Sequence, residues 1–382
     1  MPLVDLVTHK RVLVTCGAGG VGKTTTAAAL ALAGARMGKR VLCLTIDPAR
    51  RLAQSLGLEQ IPGEATRIDP EHFRRCGLEV SGSLTAMMLD TKRTFDELVQ
   101  KRSSSPEQAE RLLKNKLYRY VSGSLAGTQE YMAMEKLAEV QGDPNYDLIV
   151  LDTPPTANAL DFLSAPERMT EALDSAAIRW FVEAFQGGKS FSLNLLAKGA
   201  QAVLRGLGKI TGGEFLQDMA EFVAELNDLF GGFHERATTV QAALRGEHIA
   251  FVVVAAPSTP SLEEAAFFID KLRAADMPLG AMVVNRVRRA PAFAERPPSI
   301  ALVQQLLDAR AITLGAGGAA RVLQAHLDAA QMATHDERAV RHHLGSAPLV
   351  GVAELETDVH DLQLLAQVGE ILLHDGDVRL SA

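Results

Sequence analysis

The sequence predicts an α/β protein with a mostly parallel sheet flanked by helices and an inserted helical subdomain. Apolar, strand-like runs alternate with helical stretches in both the first and the last third of the chain. They cover Arg11–Cys16, Arg40–Ile46, Tyr146–Asp152, His248–Ala255 and Gly280–Val287. A glycine-rich loop joins the first run to an alanine-rich helical stretch. Between Asn158 and about Arg245 strand signals are too few to continue the sheet, which predicts an insertion.

The glycine-rich loop, Gly17-Ala-Gly-Gly-Val-Gly-Lys-Thr24, has the spacing G-x-x-x-x-G-K-[ST]. Its glycines let successive backbone N–H groups face an anion, and the following helix adds the positive end of its dipole. We expect Lys23 to reach the β and γ phosphates and the Thr24 hydroxyl to hold Mg²⁺. The predicted nucleotide-binding residues are Gly17, Gly19, Gly20, Val21, Gly22, Lys23, Thr24 and Thr25. The sequence therefore predicts a P-loop NTPase.

Two acids follow predicted strands at the edge where parallel sheets bind ligands. Asp47 precedes Pro48, which stops its strand, and is either a catalytic residue or the N-cap of a short helix. Asp152 closes an apolar strand as a Walker B acid does, and we expect it to contact Mg²⁺ through a water molecule. The positions of Asp47 and Asp152 therefore predict that catalytic and Mg²⁺-binding carboxylates lie beside the phosphate loop.

A polar residue, Asn285, follows the apolar residues of the predicted strand Gly280–Val287. It either hydrogen-bonds an adenine edge or caps the next turn. The basic cluster that follows, beginning with Arg286, is interpreted as a solvated surface. The later glycine group Gly315–Gly318 lacks the strand-to-helix context of a phosphate loop, so one nucleotide site per chain is predicted.

Composition limits the class of protein. The 382 residues are 47% hydrophobic and carry a formal net charge of −7, which gives no overall attraction to nucleic acid. Three cysteines without a C-x-x-C spacing favour a reducing cytoplasm. No stretch approaches the ~20 apolar residues that a membrane span needs. We predict an ATPase domain at 1–157 and 246–382, with an inserted helical subdomain at 158–245.

Within the insertion, the stretches Ala176–Phe191 and Leu193–Ile210 carry apolar residues on nearly every side, Trp180 and Phe181 among them. A helix of this kind either packs into a core or binds an apolar partner. Both interpretations stay open, so the insertion is a candidate client-binding subdomain.

Taken together, G-A-G-G-V-G-K-T-T-T, L-T-I-D-P-A-R, D-T-P-P-T and V-V-N-R resemble the motifs of the ArsA-type ATPases. That family includes the arsenite-pump ATPase and the cytosolic factor that guides tail-anchored membrane proteins. The resemblance implies Mg²⁺-dependent ATP hydrolysis, with Asp47 positioning the attacking water and Gly19–Thr25 holding phosphate and Mg²⁺. It further implies that Asp152 is the switch II acid and that Asn285 contacts adenine.

The resemblance also implies a dimer that closes over ATP, formed with a second copy or with a related ATPase. The insertion would then bind an apolar client helix, with at most transient membrane contact. Three family features are missing. Ala18 stands where a lysine usually reaches the partner's phosphates, and neither a zinc-binding C-x-x-C nor an arsenite-binding cysteine cluster is present.

These features give a leading hypothesis and alternatives. The leading one is an ATPase whose cycle opens and closes a surface for an apolar client. A nucleotide-regulated scaffold with little turnover is favoured by Ala18, and an anion (arsenite) pump subunit is disfavoured by the missing cysteines. A positioning ATPase of the ParA or MinD type is disfavoured because those chains are shorter and lack the helical insertion.

Overall fold

The computed structural model describes residues 2–46, 51–115, 118, 128–154, 222, 239, 242–344 and 349–374. The chain divides into two compact units. The first comprises Met1–Met88, Pro144–Ala159 and Gly246–Ala382, and the second comprises Leu89–Asp143 and Leu160–Arg245. Because residues 158–245 lie almost wholly outside the described chain, the predicted boundaries of the insertion remain a prediction.

The first unit is built on an eight-stranded sheet in the order β3-β4-β2-β5-β1-β6-β7-β8. The strands are β1 Val12–Gly17, β2 Arg40–Thr45, β3 Thr66–Arg67, β4 Ser83–Met88, β5 Leu148–Asp152, β6 Ile249–Ala255, β7 Leu279–Val287 and β8 Leu349–Ala353. All neighbours pair in parallel except β3, which runs antiparallel to β4. The predicted mostly parallel sheet is confirmed, and its carboxyl edge is the expected ligand side.

Helices connect the strands and make up the described part of the second unit. In chain order they are α1 Leu3–His9, α2 Lys23–Arg36, α3 Arg51–Ser55, α4 Pro70–Arg75, α5 Thr91–Arg102, α6 Pro106–Lys114, α7 Thr128–Gln141, α8 Thr259–Ala274, α9 Ile300–Ala309, α10 Gly318–Leu344 and α11 Leu362–Leu373. Alternating strands and helices give the parallel connections of an α/β fold.

The core forms because alternate strand residues face opposite sides of the sheet. On one face, Leu13, Val150 and Val252 join a cluster with the small side chains of α2 and the apolar stripe of α11. On the other face α8 packs against β1, β6 and β7. Gly369 lets α11 approach α2 closely, since a Cβ there would lie 3.1 Å from the Ala29 carbonyl oxygen. The helix that begins at the phosphate loop is therefore held on both sides.

The described part of the second unit contains α5, α6 and α7. Asp90 caps α5 by accepting a hydrogen bond from the Arg93 N–H at 2.9 Å. Phe95 contacts Tyr118 edge-to-face, with ring centroids 5.5 Å apart. The Tyr118 hydroxyl donates to Asp96, and burial followed by this bond raises the pKa of the phenol. The apolar stretches around Trp180 and Phe181 lie outside the described residues.

The five predicted strands lie within two residues of their observed bounds. Helices α1 and α4 were not predicted. Helix α11 begins at Leu362, because Asp361 is its N-cap and accepts from the Leu364 N–H at 2.8 Å. The four residues before Asp361 are therefore a loop, and this loop lines the site described next.

Candidate nucleotide site

A cavity of about 540 Å³ opens in the first unit at the carboxyl edge of the sheet. Three segments supply most of its wall: the phosphate loop with the start of α2, the end of β7, and the loop between β8 and α11. Its lining includes Gly20, Gly22, Lys23, Thr24, Thr25, Thr26, Thr153, Asn285, Arg286, Glu354, Leu355, Thr357, Asp358 and Val359. This volume lies in the range of small-molecule sites, roughly 300–1,000 Å³.

The phosphate loop needs glycine at its two ends. Gly17 has φ +151°, and a Cβ there would lie 2.0 Å from the Val254 carbonyl oxygen of the neighbouring β6. Gly22 has φ +98°, and a Cβ there would lie 2.2 Å from Nδ2 of Asn285. Only a residue without a side chain fits both the backbone angle and the space. Among the described residues, no atom beyond the neighbouring loop residues lies within 4 Å of a Cβ built on Gly20, which has φ +79° and lines the cavity.

Helix α2 begins directly after this loop. Its N-cap, Gly22, has no side chain to accept a hydrogen bond from the first turn, and that turn contains no acid. The N–H groups and positive dipole end there suit an anion such as phosphate. Lys23 is almost buried, at 7% exposure, and its Nζ donates to the Ala18 carbonyl oxygen at 2.8 Å. The ammonium group is thereby held across the loop.

The carboxyl ends of β2, β5 and β1 form a polar row beside the loop. Asp152 pairs in register with Thr45 on one side and Thr15 on the other. Asp152 is fully buried, and its Oδ2 accepts from the Thr45 hydroxyl at 3.0 Å. The next residue, Thr153, donates its hydroxyl to the Thr15 carbonyl oxygen at 2.7 Å and lines the cavity. The buried carboxylate therefore stands one residue from the cavity wall.

The end of β7 contributes two further side chains through a bulge. Val284 pairs with Gly351 and Val287 with Ala353, so three steps along β7 oppose two along β8. Such a bulge changes the direction of the side chains it contains. Asn285, within it, donates from Nδ2 to the Val21 carbonyl oxygen at 2.9 Å. The strand that ends beside the cavity is thus hydrogen-bonded to the phosphate loop.

The structure brings most of the predicted site residues together. Gly20, Gly22, Lys23, Thr24, Thr25 and Asn285 line the cavity. Gly17, Gly19, Val21 and Asp152 belong to the same loop and sheet edge but are not part of the cavity wall. Asp47 lies outside the described residues, because the described chain stops at Ile46 and resumes at Arg51.

Several lining residues were not predicted. Arg286 was interpreted as part of a solvated cluster, but it lines the cavity with its side chain 52% exposed. The loop from Glu354 to Val359 was not among the predicted site residues. The rule that ligands bind at the carboxyl ends of parallel strands points to this loop, because it follows β8 directly.

The cysteines are placed away from the cavity wall. Cys16 and Cys43 are buried in β1 and β2, and Cys76 is partly buried. Burial is the main cause that raises the pKa of both strand thiols. In the described part of the chain, no three His, Cys, Asp or Glu side chains form a group able to hold a metal ion.

Comparison with known proteins agrees with this geometry. The profile of the anion-transporting ATPase family matches residues 10–295. This chain belongs to that family. The family assignment predicted from the motifs is therefore confirmed, and the chain is an ATPase.

The relatives found include proteins named ATPase GET3. The one from Phaeosphaeria nodorum is 26% identical over 294 residues, covering 75% of this chain and 79% of that protein. The one from Aspergillus terreus is 26% identical, with 71% of each chain covered. The one from Schizosaccharomyces japonicus is 29% identical over 157 residues, covering 41% of this chain and 44% of that protein. None of the described helices is long and apolar enough to cross a bilayer.

Proposed function

We propose that this ATPase uses Mg²⁺-dependent ATP hydrolysis to open and close a dimer that binds an apolar client segment. The observation that carries the proposal is the cavity in which the phosphate loop, Lys23 and the Asn285 strand end meet. Family membership supplies the reaction class. The client and the dimer are inferred from the motifs and the insertion. The three free cysteines support a cytoplasmic location for the cycle.

The cavity suggests how ATP is held. The phosphates lie against the backbone N–H groups of Gly19–Thr25 and the start of α2. Lys23 exchanges its bond to Ala18 for the β and γ phosphates, because an ammonium group bonds more strongly to an anion than to a neutral carbonyl. The base then extends toward Asn285 and the loop after β8, where the cavity continues.

Mg²⁺ fits the donors at the other end of the site. The Thr24 hydroxyl and the Asp152 carboxylate are oxygen ligands of the kind that Mg²⁺ prefers. We propose that Thr24 would hold the ion directly and Asp152 through a water molecule, and a bound ion would supply positive charge to the phosphates. The hydroxyl of Thr45 fixes one oxygen of Asp152, which orients the carboxylate.

The hydrolytic step is assigned to Asp47 and Lys23. Asp47 comes two residues after the end of β2, and β2 ends beside Asp152. We propose that its carboxylate orients the attacking water, while Lys23 stabilises the charge that grows on the transferred phosphoryl group. Asp47→Asn should then abolish turnover while leaving ATP bound, whereas Lys23→Ala should weaken binding itself.

Hydrolysis and binding are measured first. Phosphate release and ATP binding are compared in wild type, Asp47→Asn, Lys23→Ala and the exposed control Lys271→Ala. Loss of turnover in Asp47→Asn and Lys23→Ala, but not in Lys271→Ala, supports the assignment. Equal turnover in Asp47→Asn and wild type would remove Asp47 from the mechanism.

The client is tested separately. The chain is co-expressed with a tagged protein bearing a C-terminal transmembrane helix, and complexes are captured with and without ATP. We expect nucleotide-dependent capture that is lost in Trp180→Ser with Phe181→Ser. Phe267→Ser, which changes a 52% exposed aromatic side chain outside the insertion, is the matched control. No capture with any nucleotide would contradict the client hypothesis.

A second candidate follows from Ala18. Without a lysine there, a dimer lacks a positive group of the arginine-finger type, which can contribute ~10³-fold or more to rate. The chain would then act as a nucleotide-regulated scaffold with slow turnover. The pump alternative is disfavoured because Cys16 and Cys43 are buried with raised pKa values. ATPase activity that rises with arsenite would restore it.

A further inference from the structure

Arg286 has a backbone conformation that arginine rarely adopts. Its φ is +60°, the left-handed region that few non-glycine residues occupy. Both sides of this bulge residue are held: Asn285 bonds to Val21, and the Glu354 N–H donates to the Val287 carbonyl oxygen at 2.9 Å. Strained conformations of this kind persist where the surroundings impose them, and they cluster at functional sites.

The ion pair of Arg286 does not account for the strain. Its Nη2 lies 3.6 Å from Oδ1 of Asp358, and the two side chains are 52% and 94% exposed. Exposed pairs of this type contribute at most about 1 kcal/mol to stability and often nothing. The arrangement is better explained by the place it gives Arg286 in the wall of the cavity.

Sheet order shows which end of the cavity this is. The phosphate loop follows β1, and Asp152 and Thr45 lie on its β5 and β2 side. Arg286 and Asp358 lie on the opposite side, where β7 and β8 end. A nucleotide whose last phosphate faces Asp152 must therefore extend its base toward Arg286. The wall there also offers the apolar side chains of Leu355 and Val359.

We infer that Arg286 binds the base of the nucleotide by stacking its guanidinium plane on the ring, with Asp358 orienting that plane. The inference rests on the proposed nucleotide site and assigns its base end to two residues. A planar guanidinium stacks well on an aromatic face and needs no particular exocyclic group. Arg286 thus strengthens nucleotide binding without choosing among bases.

The test uses variants that suit the backbone. Arg286→Gly and Arg286→Asn both tolerate a positive φ, so they should fold at least as well as wild type. Asp276→Gly is the matched control, because Asp276 also has a positive φ of 55° in an exposed turn after α8. Titration calorimetry is run with Mg²⁺–ATP and with inorganic triphosphate, which has no base.

We expect Arg286→Gly to weaken ATP binding roughly fivefold to tenfold and to leave triphosphate binding unchanged. Arg286→Lys should lose less ATP affinity than Arg286→Gly. Asp358→Asn should weaken ATP binding about twofold to threefold and leave triphosphate binding unchanged. Unchanged ATP affinity in Arg286→Gly, or equal losses for both ligands, would overturn the inference. The inference would also be overturned if wild type bound triphosphate as tightly as ATP. Wild type that binds neither ligand would overturn the nucleotide site itself.

Discussion

The side-chain amide of Asn285 donates a hydrogen bond to the carbonyl oxygen of Val21 at 2.9 Å, joining residues 264 positions apart in the chain. One partner lies near the end of β7 and the other lies inside the phosphate loop. The same amide occupies the space that a side chain at Gly22 would need. The loop conformation therefore depends on a residue far from it in sequence.

Replacing Asn285 by alanine should loosen the phosphate loop. The lost bond is expected to lower the free energy of unfolding by about 1 kcal/mol. Because the loop itself changes, calorimetry should show weaker binding of both ATP and inorganic triphosphate. A loss for ATP alone would instead show that contact with the base is the main role of Asn285. This pattern separates Asn285 from Arg286, whose replacement should affect ATP only.

Turnover should rise in Ala18→Lys. A lysine at this position would bring a positive charge to the phosphates of a partner chain, where charge grows during hydrolysis. We expect slow phosphate release in wild type and a rise of tenfold or more in the variant, increasing with protein concentration if the lysine acts across a dimer. Ala18→Gln, a long side chain without charge, is the control. Wild-type turnover equal to that of lysine-bearing relatives would contradict the prediction.

Asp336 on α10 should be important for stability. It is 1% exposed, and its Oδ2 accepts from the Arg288 N–H at 3.2 Å, with Arg288 Nε 3.6 Å away. Within the described residues its Oδ1 has no hydrogen-bond partner. Asp336→Ala leaves the N–H without an acceptor and should lower the unfolding free energy by about 1–3 kcal/mol.

Asp336→Asn should lower the unfolding free energy less than Asp336→Ala does, because asparagine keeps an acceptor oxygen and removes a buried charge. Urea denaturation compares these variants with Glu337→Ala, which breaks only an exposed i,i+4 pair to Arg341. If Asp336→Ala lowers the unfolding free energy no more than Glu337→Ala does, the buried carboxylate of Asp336 does not stabilise the fold.

Asp147 should make stability depend on pH. Arg40 donates to both of its oxygens, from Nη2 at 2.6 Å and from Nε at 3.0 Å, and these bonds hold the carboxyl pKa well below its usual range. The stabilisation is present above the unfolded pKa of about 4 and is lost as pH falls toward the folded value. Since both side chains are well exposed, the effect stays below about 1 kcal/mol.

Asp147→Asn measures this contribution. The variant should unfold at lower urea concentration than wild type at pH 7, and the difference should shrink at pH 3. A difference that is constant with pH would mean that packing, not the ionised carboxylate, is responsible.

The phosphate loop and the parallel strands could be predicted because their causes are local. The signals that predict them lie within a few neighbouring residues: the spacing of Gly17 and Lys23, and the apolar runs on either side of the loop. Helix α4 was missed because a helix of six residues leaves little periodicity, although Asp69 and Pro70 at its start are a recognisable cap.

The base end of the site could not be predicted in the same way. Arg286 and Asp358 are 72 positions apart, and their proximity results from the pairing of β7 with β8. A run of arginines on its own is typical of a solvated surface, and nothing local marks the bulge that brings Arg286 to the cavity. Register between strands, not composition, decides which side chains meet there.

Helix α2 has a consequence for how this sequence can vary. Of its fourteen residues, eleven are buried, and six of these are alanine. Enlarging one of these alanines would force a neighbour to move, and overpacking typically costs about 1–3 kcal/mol. The buried alanine positions of α2 should therefore accept only small side chains in related sequences, whereas exposed positions elsewhere in the chain should vary freely.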